Sequence, residues 1–412
     1  MKKTGNNILI ALIPLFAVSF VSHIAPYIYI PSLPDITDYF HLEKAQAGSM
    51  MSAYYLALSL TLLLVGAVGD RWNKRMLLAG ASVVISIGAM LCSLPSQFGW
   101  VLGGWALQGS GAATITIVGQ TWIGQSSEKS NITSLFSYMS IILSFAPLVA
   151  PVVGGMITDC YSWKYNFFAV GFLSVCSAMF IYKTTPPPPI RNDKVSVRQV
   201  FAGYRHIMFK SEFMPLIATS LVCFLFQGTL LAYSSFLFID QLGLTPATYG
   251  LISVPVVVGC IIGQFPVVYL EKKHSITAAF LFNSAVAVAA LLSSLVFYML
   301  TGTHTIIELA LVILVFSIGF GGHTLLAIRN VMIAFPSKRS RSSALLNFLD
   351  QLMGYIAAVV VQLLFIFVGS ALSIHNIACI AASILIILAT FIYLKHIGAN
   401  EIPLQNEGLE HS

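Results

Sequence analysis

Long apolar runs, one after another with only short breaks, decide what this chain can fold into. They lie near residues 8–33, 45–69, 75–95, 98–124, 130–158 and 162–183, and then, past a polar interval, near 212–238, 246–270, 275–300, 305–334, 340–368 and 371–396. Each is roughly 20–30 residues long, enough for a helix to cross a hydrocarbon layer about 30 Å thick with some tilt. Barrel strands would be about ten residues long and would alternate polar with apolar residues. The expectation is an all-α integral membrane protein with 12 transmembrane helices in two six-helix bundles. The N-terminal bundle covers residues 1–183 and the C-terminal bundle 212–396, with a cytoplasmic linker at 184–211 and a cytoplasmic tail at 397–412.

Composition supports lipid as the solvent. The chain is 57% hydrophobic and 9% charged, with a mean hydropathy of +0.87, whereas an ordinary soluble domain is about 25% charged. Lys2 and Lys3 precede an apolar run too long for a signal peptide, and no clean small-x-small site follows, so no cleaved leader is expected. The 6 cysteines are scattered without metal-ligand spacing, which argues against a zinc site or a disulfide framework. No metal and no cofactor are expected. The net charge of +6 comes from bases flanking apolar runs, so it signals topology rather than nucleic-acid binding.

Those bases orient the chain. With the N-terminus inside, all of the 21 Lys and Arg residues except Lys44, Lys164 and Arg329 fall in cytoplasmic segments. Both termini are then cytoplasmic. The interval between the halves opens with Pro186–Pro189, an extended stretch that cannot continue a helix. Residues 195–208 then mix bases with apolar residues, as in a short amphipathic helix on the inner leaflet; an unstructured linker is the alternative.

Several short strings carry more than topology. Gly66-Ala67-Val68-Gly69-Asp70-Arg71-Trp72-Asn73-Lys74-Arg75 is a charged turn between the second and third runs. Gly66 and Gly69 permit close approach of helix ends, and Asp70 suits a helix N-terminus. The fifth run holds Ala146-Pro147-Leu148-Val149-Ala150-Pro151-Val152-Val153-Gly154-Gly155. Its prolines free backbone carbonyls and its small residues allow tight helix packing. Tyr29-Ile30-Pro31-Ser32-Leu33-Pro34 ends the first run, Ser162-Trp163-Lys164-Tyr165-Asn166-Phe167-Phe168 opens the sixth, and Ser343-Ala344-Leu345-Leu346 lies in the eleventh. Gly263 with Glu271-Lys272-Lys273 echoes the charged turn about 200 residues later, as expected of two related halves.

The charged turn resembles the G-x-x-x-D-R-x-G-R/K-R/K loop of the major facilitator superfamily. With the other strings it is similar to one branch, the Bcr/CflA drug:proton antiporters. That resemblance implies alternating access, efflux and a turn at Gly66, Asp70, Arg71, Lys74 and Arg75 that gates the cytoplasmic face against neighbouring helix ends. It also implies an antiporter role for the fifth-helix string, through Pro147, Pro151, Gly154 and Gly155. There are departures. Asn73 replaces a glycine, and a left-handed Asn is expected to preserve the turn. The fifth-helix string has alanine at the first two glycine positions. Trp105 stands where the branch carries a fourth-helix arginine, and Tyr27 where it often carries a first-helix acid.

Ionisable residues inside the runs are few, and charges there default to functional roles. The coupling candidates are Asp350, Arg329, His323 and His23. Asp350 and Arg329 can alternatively form a structural pair, and His23 can be a neutral residue bonded to a backbone carbonyl. Tyr54, Tyr55, Gln108, Gln120, Tyr138, Gln227, Tyr233, Gln264 and Asn347 are candidates for a polar cavity, each equally able to join helices.

The leading expectation is a monomeric exporter of a small organic molecule (a drug, a metabolite or a siderophore) in a bacterial inner membrane, with protons as a second partner. An importer or facilitator on the same fold is the rival, favoured by the missing arginine and acid. A membrane enzyme or sensor is disfavoured: H-E-x-x-H, G-x-S-x-G and P-loop motifs are absent, and no hydrophilic segment is long enough for a catalytic domain. The topology makes a direct prediction. In intact cells, cysteines placed at 35–44 or 159–163 should react with an impermeant thiol reagent, and cysteines in the linker should not. Labelling of the linker from outside contradicts the orientation.

Overall fold

The computed structural model describes residues 2–68, 72–94, 97–126, 129–184, 197–335 and 339–400. Among them, 12 helical segments are long and apolar enough to cross a membrane. The first span is α1 (Lys2–Ile28), a short 3-10 turn at Ile30–Ser32 and α2 (Leu33–Tyr39). Next come α3 (Lys44–Val68), α4 (Lys74–Ser93), α5 (Phe98–Ser126), α6 (Lys129–Cys160) and α7 (Trp163–Thr184). A helix α8 (Val197–Met208) lies in the interval between the halves. The seventh span is α9 (Phe213–Ser235) continued by a π-helical turn at Phe236–Gln241. The eighth is broken into α10 (Pro246–Gly250), α11 (Ser253–Ile262) and α12 (Gln264–Lys273). The chain finishes with α13 (Ile276–Thr301), α14 (Ile306–Ala334), α15 (Arg339–Val368) and α16 (Ala371–Asn400).

Local chemistry sets the helix ends. Ser275 and Thr305 cap α13 and α14, accepting from the amides of Ala278 and Glu308. Gly302 ends α13 with φ +73°, a left-handed position that a side chain would strain. Asn73 departs from expectation. Its φ of −64° and ψ of 109° are extended, and its Oδ1 accepts from the amides of Arg75 (3.0 Å) and Met76 (3.3 Å). It caps α4 rather than forming a left-handed turn, because a cap satisfies two otherwise unpaired amides.

Helices in lipid gain little from hydrophobic burial against one another, so close packing and hydrogen bonds hold them. Within the N-terminal half, Gly88 of α4 and Gly104 of α5 each face the other's backbone carbonyl. In the C-terminal half, Gly259 and Gly263 seat against the backbone of α14. Between the halves, Gly48 of α3 faces Gln362 of α15, and Gly155 of α6 faces the Pro246 carbonyl of α10.

Three of the sequence strings converge on one polar knot. Asn166 of α7, fully buried, donates through Nδ2 to Ser32 Oγ (3.0 Å), Gly154 O (3.1 Å) and Thr158 Oγ1 (2.9 Å). Ser32 and Thr158 lie 2.7 Å apart. The knot thus ties the break after α1 to α6 and α7. Replacing Asn166 by alanine removes three bonds from a fully buried site. A loss of about 1–2 kcal/mol is expected, read as a lower thermal midpoint of the purified protein. An unchanged midpoint would mean that the knot adds nothing to stability.

Candidate functional site

A cavity of about 290 Å³ lies between the two halves. Tyr27 and Ile30 at the end of the first span, Tyr55 of α3, and Ser144, Pro147 and Pro151 of α6 line it from the N-terminal half. Phe224, Gln227 and Ser234 of α9, Tyr249 of α10, Phe320 of α14 and Asp350 of α15 are among the residues on the other side. At the end away from the chain termini, contacts between the halves roof it. Lys44 Nζ meets Asp240 Oδ2 at 2.6 Å, Asp159 Oδ2 accepts from the Ala247 amide at 3.0 Å, and Ser253 Oγ donates to Leu148 O at 3.2 Å.

Asp350 is the only charged residue among the described cavity-lining residues. It is 7% exposed, and its buried Oδ1 has no hydrogen-bond partner. Gln227 Oε1 on the facing helix α9 is likewise buried and unsatisfied. Two residues of one cavity wall thus carry unpaired acceptors, which are costly when buried and are relieved by a donor brought into the cavity. Close helix approach puts Asp350 there. One turn further along α15, a Cβ on Gly354 would stand 3.1 Å from the Tyr55 ring, and one on Gly228 of α9 would stand 2.9 Å from Ala357 Cβ. Glycine at these crossings brings α3, α9 and α15 together beside the carboxylate. The remaining wall is largely aromatic and aliphatic. Such a cavity suits a molecule with an apolar body and a hydrogen-bond-donating or cationic group.

The other coupling candidates lie elsewhere. Arg329 does not pair with Asp350; it pairs with Glu271 of α12 and donates to Asn330 Oδ1 at 3.3 Å. The long guanidinium stem reaches the membrane-boundary end of the eighth span, where Glu271 supplies the carboxylate. His323 is 1% exposed and packs behind the cavity, with Nε2 3.1 Å from Ser284 Oγ and its ring edge-on to Phe280. His23 Nδ1 lies 2.9 Å from Ser19 O, the backbone bond given above as its alternative role.

The proposed lining divides similarly. Gln227 and Gln264 reach the cavity. Tyr54 does not: it is 3% exposed and packs edge-on to Trp105, while its neighbour Tyr55 faces the cavity. Successive helical residues point about 100° apart, so adjacent tyrosines serve different surfaces. Gln108 is a helix-joining residue that accepts from the Tyr29 hydroxyl at 2.8 Å. Tyr233 bonds His375 at 2.7 Å. Gln120 and Asn347 are half-buried outside the cavity, and the Tyr138 side chain lies outside the described residues. Tyr27, Phe224 and Tyr249 were not singled out as lining; a tyrosine near a span end reads equally as part of a boundary belt, and a mid-span phenylalanine as one more apolar residue.

Of the charged turn, Asp70 and Arg71 lie outside the described residues. Gly66 faces the Tyr204 hydroxyl of α8, Lys74 is 2% exposed, and the Arg75 guanidinium stands 4.9 Å over the Tyr182 ring. In the fifth-helix string, Pro147 and Pro151 line the cavity, Gly154 seats on the Ile28 carbonyl and Gly155 on that of Pro246. The string therefore touches both the first span and the opposite half.

Comparison with known proteins bears on this arrangement. The family profile described as Major Facilitator Superfamily matches residues 15–358. The chain is 25% identical over 281 residues to the chloramphenicol resistance protein CraA of Acinetobacter baumannii, covering 66% of this chain and 67% of that one. It is 25% identical over 281 residues to the multidrug transporter MdfA of Yersinia pestis, with the same coverage of 66% and 67%. In fold it is similar to a bacterial homolog of the human lysosomal transporter Spinster in an inward-facing, occupied conformation. That match has a TM-score of 0.72 and 14% identity, and covers 95% of this chain and 96% of that one.

Proposed function

The chain belongs to the major facilitator superfamily and is a multi-pass secondary transporter, and we propose that it exports a small amphipathic organic molecule in exchange for protons. The observation that carries this reading is Asp350: a lone acid with an unsatisfied oxygen, in an otherwise mostly apolar cavity between the halves. A buried carboxylate without a partner is unfavourable, so a proton or a cationic or donor group of the substrate must occupy it. The two occupants compete, and competition of that kind couples their opposed movements. Substrate arriving from inside displaces the proton inward. After the halves rock, a proton from outside takes the carboxylate and the substrate leaves.

In this reading residues 1–183 and 212–396 are the two moving bundles and 184–211 joins them on the cytoplasmic side. The protein works as a monomer in the inner membrane with both termini inside. The roof contacts Lys44–Asp240 and Asp159–Ala247 then close the outer face. Efflux is supported by the fifth-helix string, by the Bcr/CflA-like strings and by relatives named for chloramphenicol resistance and multidrug transport. A drug, a siderophore or a metabolite with an aromatic or aliphatic body fits the walls.

One observation favours the rival importer or facilitator. Trp105, at the position of the branch's arginine, is 1% exposed and packs against Tyr29 and Tyr54. Proton coupling on this protein then rests on the C-terminal half alone. Proteoliposomes separate the readings. With the lipophilic cation tetraphenylphosphonium as probe, the wild type should accumulate it against an imposed pH gradient. Asp350→Asn should cut that accumulation at least tenfold, while exchange of labelled for unlabelled probe persists at a raised half-saturating concentration because the carboxylate's charge is gone. Full gradient-driven accumulation by Asp350→Asn removes the coupling role, and wild-type exchange that ignores the gradient favours a facilitator.

A further inference from the structure

A second group of ionisable side chains lies at the end of the C-terminal half that carries the roof contacts, well apart from Asp350. His304, in the turn between α13 and α14, has a side chain with 0% exposure. Its Nδ1 is 3.0 Å from Glu308 Oε2 and its Nε2 is 3.0 Å from Asn376 Oδ1 of α16. With Glu308 ionised and the Asn376 amide oxygen facing the ring, the imidazolium satisfies both contacts, one ring N–H donating to each. Tyr298 of α13 stacks on the ring. Burial alone pulls the His304 pKa down. The hydrogen bonds to Glu308 and Asn376 and the Glu308 charge outweigh it and hold the value above the ordinary 6.5.

The pair continues inward as an oriented chain. Ser294 Oγ donates its one proton to Glu308 Oε1 at 2.8 Å. It must therefore accept from His375 Nε2, 3.0 Å away. His375 Nδ1 is then the acceptor for the Tyr233 hydroxyl at 2.7 Å. Cys379 Sγ stands 3.6 Å from the same His375 Nε2, so Glu308, His375, Cys379, Tyr233 and Tyr298 are the titratable groups around His304. Outward, Glu308 lines a surface groove between α13 and α14, so the chain reaches the protein surface at one end and Tyr233 at the other.

That inner end is mechanically placed. Tyr233 is followed by Ser234, whose hydroxyl lies 2.6 Å from that of the cavity residue Tyr249. Beyond it the π-helical turn carries Asp240, the partner of Lys44 across the halves, and Gln241. Gln241 Oε1 accepts from the Leu372 amide at 2.9 Å and its Nε2 donates to Ser370 Oγ at 3.3 Å, tying the turn to the start of α16. His375 and Asn376 follow within a turn on that helix. π-Turns inside helices are frequent at functional sites.

We propose that His304 and Glu308 form a second protonation site, distinct from Asp350, whose bound proton latches the roof between the halves shut. The inference rests on the alternating-access reading above. The site binds its proton more tightly in the roofed state, where the π-helical turn holds Asp240 against Lys44 and Gln241 against the start of α16, than in the state with the roof open. By linkage, the stabilisation is complete below pH 6.5, the ordinary imidazole value, and is lost as pH rises through the raised value of the roofed state. Acid on the roofed side thus returns the transporter to the state in which its cavity faces the other way.

Nitroxide pairs test this in the full chain in lipid nanodiscs, with Cys160, Cys176 and Cys260 replaced by serine and labels at Tyr161→Cys and Phe367→Cys. Electron-electron distance distributions are recorded from pH 5 to 9. In the wild type the ratio of short to long distances should hold below pH 6.5 and then fall by up to about tenfold per pH unit, the limit for one proton. His304→Gln and Glu308→Gln should flatten that fall, both in the otherwise native chain and when added to Asp350→Asn. Asn376→Asp should shift the midpoint to higher pH and Asn376→Leu to lower. The proposal is overturned if His304→Gln keeps the wild-type slope, or, should that variant not fold, if neither Asn376 variant moves the midpoint. Distances that respond to tetraphenylphosphonium but not to pH also overturn the latch and leave the transport reading standing. Distances that respond to neither contradict the alternating-access reading itself.

Discussion

Lipid offers no hydrogen bonds, and the rest of the molecule follows from that constraint. Backbone groups are satisfied within helices, and many hydroxyls are folded back onto them. Ser82, Thr114, Thr116, Thr121 and Thr324 each donate to the carbonyl four residues earlier. Asn166, Gln108 and His23 find partners inside their own half. Against that background, leftover acceptors on residues that line a cavity stand out. Asp350 and Gln227 are such a pair, and they face the space between the halves.

The second consequence is that small residues do the positioning. Without a hydrophobic drive between helices, contact depends on how closely backbones approach. Gly354 and Gly228 bring α15, α9 and α3 together at the cavity wall, and Gly154 and Gly155 place α6 against both Ile28 and Pro246. The same stretch of α6 supplies Pro147 and Pro151 to the lining. One sequence string therefore couples the cavity wall to the roof, an arrangement suited to a machine in which substrate occupancy and closure are linked.

The spans were legible because their signal is local: length and apolarity alone define a membrane helix. The Asn166 knot was half legible, since its strings were recognised individually but their meeting requires the folded bundle. The Asp350 cavity was visible only as a costly charge, and its isolation emerged once Arg329 proved to pair with Glu271. Neighbouring Tyr54 and Tyr55 could not be separated, because helical phase relative to a cavity is set by packing. Nor could the chain from His304 to Tyr233, whose members lie on four different elements and as much as 142 residues apart. Asn73 misled because the same side chain that tolerates a left-handed backbone is also a strong helix cap.

The central claim is that a proton and a cationic or donor-bearing substrate exclude one another at Asp350. Proton release on binding measures this most directly. The purified protein, in a weakly buffered solution with a pH indicator, is titrated with tetraphenylphosphonium. The wild type should release about one proton for each cation bound, as linkage at a single shared carboxylate requires, and Asp350→Asn should release none. Binding by the wild type without proton release, or an equal release from Asp350→Asn, contradicts the account.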